Sequence, residues 1–97
     1  MSSELDPRYD SIKPMYDKGK IKSFLDIFKH VPKSTVAADM GKNRARFSSQ
    51  LKHLKNFSLP DLWLIGQFCR LTEVEMLKLF AKELEIQEKE KKKRPSP

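Results

Sequence analysis

One stretch, PKSTVAADMGKNRARFSSQLKHLKNF at residues 32–57, constrains the chain more than any other, because it reads as two helices joined by a tight turn. Pro32 opens the first helix. Val36, Ala37 and Met40 recur at helical spacing and stop at Gly41, the residue that most readily takes the left-handed conformation closing a helix. Asn43 then stands where an N-cap side chain accepts an orphan backbone N–H, and Phe47, Leu51 and Leu54 follow on one stripe. The spacing predicts a second helix over about residues 44–55.

That second helix is unusually basic. With successive residues about 100° apart, the side away from Phe47, Leu51 and Leu54 is centred on Ala45, Ser49 and Lys52 and flanked by Arg46, Ser48 and His53. Arg44 projects from its tip. Lys42, Arg44, Arg46, Lys52 and Lys55 all lie between Gly41 and Phe57, and that interval contains no Asp or Glu. A face of this kind suits phosphate, and a guanidinium such as that of Arg44 can bond both acceptors of a guanine edge.

These residues resemble the lambda-repressor-like helix-turn-helix proteins of the Xre/Cro class, small proteins common in bacteria and their phages. The likeness spans Ser34 to Phe80. It rests on VAADMG at 36–41, on Phe47 at the buried position of the second helix, and on FSLPDLWLIGQF followed by LT over 57–72. The resemblance implies an all-α fold, a compact bundle of five or six short helices containing a helix-turn-helix. It also implies sequence-specific binding of double-stranded DNA and regulation of transcription, with the 44–55 helix in the major groove. Asn43 and Arg46 are then expected against phosphate and Arg44, Ala45 and Ser49 nearest the base edges, with Lys33, Lys42, Ser48, Lys52 and His53 completing the surface. Related proteins pair across two half-sites, so a homodimer is a further expectation, with Leu79 and Ile86 of the last helix either shared between subunits or covering the edge of a monomer core.

The chain departs from the family pattern at three places. Pro32 and Lys33 stand where Thr-Gln is usual, Lys42 follows Gly41 where an apolar residue is usual, and Gln50 takes a position more often apolar. These departures keep open an alternative, a helix-turn-helix-like protein–protein interaction module without specific DNA binding. Fold does not fix function.

Ninety-seven residues suit one domain, and much of the 38% hydrophobic content lies between Ile21 and Leu84. The net charge of +7 and pI near 9.6 favour polyanionic partners. Cys69 is the only cysteine, which excludes an intramolecular disulfide and a multi-cysteine zinc site; among Leu62, Ile65 and Phe68 it reads as a small core residue. No stretch approaches the roughly 18 to 20 apolar residues of a membrane span. A cytoplasmic protein with no membrane partner is expected.

Residues 1–10 read as a flexible N-terminal lead-in, 11–86 as the helix-turn-helix domain, and 87–97 as a charged helical extension with a disordered end at 94–97. Within the domain, Ser11 is a candidate cap for a short helix ended by Gly19, with Ile12, Met15 and Tyr16 inward. Phe24, Leu25, Ile27, Phe28 and Val31 predict a helix over 23–31. Lys18, Lys20, Lys22 and Lys29 read as solvated surface along the approach to the motif.

Ser58, Pro60 and Asp61 start the next helix, whose apolar residues from Leu59 to Cys69 surround nearly the whole circumference, as in a helix buried among others. Gly66 in its middle lets a neighbouring helix come close. Thr72 and Glu75 form a T-x-x-E capping box for the last helix, with Val74, Leu77, Phe80, Ala81 and Leu84 as its inward stripe.

No catalytic constellation is present. His30 and His53 fall on different predicted helices, there is no nucleophile motif, and Gly41-Lys42 lacks the upstream glycine of a phosphate-binding loop. No enzyme, no cofactor and no metal site is expected, and Asp39, Asp61 and the C-terminal glutamates read as surface or capping groups.

Overall fold

Helix ends fall where residues able to close a helix stand. The fold is described by a computed structural model covering residues 5–93. Among them every regular element is helical: α1 (Ile12–Asp17), α2 (Lys33–Asp39), α3 (Arg44–Lys52), α4 (Leu59–Cys69) and α5 (Glu73–Lys93), with 3-10 helices at Pro7–Ser11, Phe24–Lys29 and Leu54–Asn56. The protein is an all-α bundle. The first four residues of the expected lead-in, and the end at 94–97 expected to be disordered, lie outside the described residues.

The turn between α2 and α3 is built by one hydrogen-bond pattern. Gly41, at φ 70°, sends its N–H to Ala38 O at 3.0 Å, and Lys42 sends its own to Ala37 O at 2.8 Å. This 5→2 and 6→1 pair satisfies two carbonyls that the end of α2 would otherwise leave bare. α1 closes the same way around Gly19. So does α4, where Arg70 N–H reaches Gln67 O and Leu71 N–H reaches Gly66 O, but there the left-handed residue is Arg70, at φ 62°. A side chain in that region costs about 1 kcal/mol, which explains why the sequence carried no signal for this third turn.

The core is aromatic at its centre. Phe24 meets Phe28, Phe57 and Phe80 with ring centroids 5.5, 5.7 and 5.6 Å apart, and Phe47 of α3 adds contacts to Phe28 and Phe57 at 5.9 and 6.4 Å. One cluster therefore ties the 24–29 segment, α3 and α5 together. α2 packs against α3, and α4 against α5. The α4–α5 crossing uses Gly66: a Cβ there would lie 2.6 Å from Met76 Cγ, so the close approach needs a residue without one.

Four expectations are corrected. Residues 5–10 are not a loose lead-in: Tyr9 is buried, its hydroxyl donates to Asp39 Oδ2 at 2.8 Å, and its ring lies 5.3 Å from that of Phe68. Burial, reinforced by Asp39, pushes the Tyr9 phenol above its usual range. Within the 23–31 segment, Phe24–Lys29 form a 3-10 helix rather than an α-helix. With three residues per turn, Phe24 and Ile27 stack on the same inward side.

Leu59, expected in a helix buried all round, is 53% exposed at the start of α4. Finally, α5 is rotated relative to the expected stripe. Val74 and Leu77 are 61% and 46% exposed and Ala81 is exposed, while Met76, Leu79 and Glu83 are buried. Leu79 is thus a core residue and not a surface that a second copy could share.

The rotation has a physical cause. α5 carries apolar residues on two sides of its first turns, and the inward side holds two polar residues that made it look less apolar than it is. Both are satisfied by backbone from other elements. Glu83 Oε1 accepts from Leu25 N–H at 2.9 Å, and Gln87 Nε2 donates to Leu51 O at 3.1 Å. The capping box at the start of α5 forms as expected, with Thr72 N–H to Glu75 Oε1 at 2.9 Å and Glu75 N–H to Thr72 Oγ1 at 3.1 Å.

Candidate nucleic-acid interface

α3 is held from both ends and from beneath. Asn43 Oδ1 accepts from Arg46 N–H at 2.9 Å, which is the expected N-cap. Phe47 and Leu51 are buried on the inner side. The helix ends earlier than expected: His53, at φ −130° and ψ 64°, turns the chain, and Leu54–Asn56 continue as a separate 3-10 helix. Leu54 is still buried, so the stripe survives although the helix does not.

The outer face presents what the helical wheel placed there. Arg44, Ala45, Arg46, Ser49 and Lys52 are exposed, as are Asn43 and His53 at the two ends, while Ser48 is half-buried. Among the described residues, Arg44, Arg46, Lys52 and Lys33 take part in no ion pair. The two other cations between Gly41 and Phe57 are already engaged. Lys42 lies 3.1 Å from Asp61 at the start of α4, and Lys55 lies 2.7 Å from Glu88 of α5. Lys42 therefore faces α4 as a bridging group, apart from the α3 cations with which the sequence grouped it.

Two depressions flank the C-terminal half of α3. The first, of about 400 Å³, is lined by Arg46, Ser49, Gln50, His53 and Asn56 and contains no carboxylate. It brings together three of the expected site residues, and adds Gln50 and Asn56, which the sequence reading had not placed there. Gln50 Oε1 is buried with no hydrogen-bond partner among the described residues. The second, of about 540 Å³, has Lys52, His53 and Lys55 on one side and Glu88 and Glu90 on the other, with Leu54 and Leu84 among its lining. Lys33, at the start of α2, lines neither.

Burial pushes the Cys69 thiol up to about 12, so it stays protonated in the core. Among the described residues no cluster of His, Cys, Asp and Glu could hold a metal, and no helix is long and apolar enough to cross a membrane. What the surface offers chemically is hydrogen-bond donors and positive charge on a rigid helix. Comparison with known proteins found no match to the chain among family models, curated proteins or solved structures.

Proposed function

We propose that the protein binds duplex DNA in a sequence-specific manner and regulates transcription, with α3 in the major groove. The observation that carries the reading is the outer face of α3, where Arg44, Arg46 and Lys52 are exposed and, among the described residues, take part in no ion pair, on a segment without acidic residues. Cations without an internal partner gain most from phosphate, because no existing pair has to be broken and DNA counterions are released. Arg44, Ala45 and Ser49 face base edges in this reading, and Asn43, Arg46 and Lys52 lie along the backbone. The regulatory role rests on the family resemblance alone.

A homodimer on DNA goes with this proposal. With Leu79 buried, the side of α5 that a second copy would use is the exposed one carrying Val74, Leu77 and Ala81. The same exposed side favours a second reading, a helix-turn-helix-like module that binds another protein instead of DNA. Titration of random and selected duplexes at several salt concentrations tests both. Strong salt dependence with tighter binding of the selected sequence supports the DNA reading; equal, weak binding to every duplex sinks it. Sedimentation with and without the selected duplex checks the dimer, which a strict one-to-one complex removes.

A further inference from the structure

We infer that Gln87, on α5, is a positioning residue for the C-terminal turn of α3. The consequence for DNA rests on the reading proposed above, but the brace itself does not. A helix end leaves carbonyls without intrahelical donors, and the turn at His53 cuts α3 off one turn before its apolar stripe finishes. The Leu51 carbonyl in that last turn takes its hydrogen bond from the Gln87 side-chain amide, at 3.1 Å and partly buried, 36 residues further along the chain.

Gln87 is placed there by the core. It continues the series Met76, Phe80 and Glu83 along α5 at steps of four, three and four residues, which keeps it on the inward side. The neighbouring Lys55–Glu88 pair spans the same junction at 2.7 Å, but its side chains are 68% and 41% exposed, and pairs so open to water contribute little. The amide hydrogen bond, partly buried, is therefore the stronger tie. The turn it holds carries Lys52 and His53, and Ser49 stands one turn before them. Gln87 lines the same depression as Lys52 and His53 and acts on them through the Leu51 carbonyl, so α5 at this point is a strut of the proposed reading helix.

The test uses the full chain with Gln87→Met, which keeps length but removes the donor, and Gln87→Lys, which restores one. Amide hydrogen exchange followed by NMR should quicken about fivefold at Leu51, Lys52 and His53 in Gln87→Met, as expected for loss of one net hydrogen bond. Exchange at α2 and at Phe47 should stay unchanged, and Gln87→Lys should return the fast amides toward the wild-type rate. In the same Gln87→Met variant, preference for the selected over the random duplex should fall while the salt slope holds, since no phosphate contact is lost. Unchanged exchange at the end of α3, or faster exchange spread evenly over the chain, overturns the brace. Faster local exchange with undiminished sequence preference overturns the positioning role. A wild type that prefers no duplex overturns the DNA reading instead, and the exchange data still decide the brace.

Discussion

The α2–α3 pair and α5 make opposite use of local sequence. In α2–α3 the turn is fixed by the residues beside it: Gly41 closes one helix, Asn43 opens the next, and the apolar stripe sits where its spacing puts it. Only the far end of α3 draws on a distant group. In α5 the start is equally local, but the inward side is chosen by groups 36 to 58 residues away, the Leu51 carbonyl and the Leu25 N–H. Short-range chemistry decides where helices begin and end. Which side of a long helix turns inward is decided by what the rest of the chain leaves unsatisfied.

The largest expected effect tests the shared core. Phe47→Ala should cost about 3 to 5 kcal/mol, because a fully buried ring is removed from the aromatic cluster. Chemical denaturation measures the loss, and a cost under 1 kcal/mol would mean that α3 is not anchored as described. DNA binding should disappear with the fold.

Next, Leu79→Ala and Leu77→Ala separate the two sides of α5. The first should lose about 2 to 5 kcal/mol and the second at most about 0.5 kcal/mol in dilute monomer. Equal losses in thermal melts would erase the rotation of the helix. Glu83→Ala should cost about 1 to 3 kcal/mol by leaving the partly buried Leu25 N–H unpaired, while Glu83→Gln, which keeps an acceptor, should cost less. If the two variants melt alike, the hydrogen bond does not orient α5.

On the other side of the comparison, a folded Arg44→Ala should relax preference at one base pair, by about 1 to 3 kcal/mol of discrimination. Lys52→Ala should weaken all sequences alike and lower the salt slope by about 0.9. Selection from a random duplex pool reads the first, and an unchanged consensus removes Arg44 as a reader.

The smallest effect is a pH dependence at the start of α5. The hydrogen bond from Lys13 at 2.7 Å, helped by Thr72 N–H, holds the Glu75 carboxyl below its ordinary value of 4.5. A carboxylate depressed in the folded state adds stability above its unfolded pKa and loses it as pH falls through the folded one. The gap in melting temperature between wild type and Glu75→Gln should therefore shrink below about pH 4.5. A gap that widens with acid would contradict the pairing.

The α2–α3 turn and the start of α3 were legible in the sequence, along with the start of α4, the capping box and the burial of Cys69, whereas the early end of α3 at His53 was not. What escaped had a common cause. Arg70 takes a left-handed turn with no glycine to mark it, Tyr9 is buried in a segment whose composition is polar, and Glu83 and Gln87 are inward residues that look outward until their distant partners are known. For the candidate surface, the exposed face of α3 followed from periodicity. The diversion of Lys42 to Asp61 did not, because nothing local to the turn announces where α4 begins in space.

The crossing of α4 over α5 at Gly66 carries a consequence for how this sequence can drift. Any residue larger than glycine at 66 meets Met76 Cγ, and shortening Met76 alone leaves a void in a fully buried site. Each single change is therefore penalised in the background of the other's present state, whereas alanine at 66 with a smaller residue at 76 restores room and fills it. The two positions form a coupled pair in which the order of substitution matters. Sequences on the two sides of that barrier would share this fold while differing at both sites together.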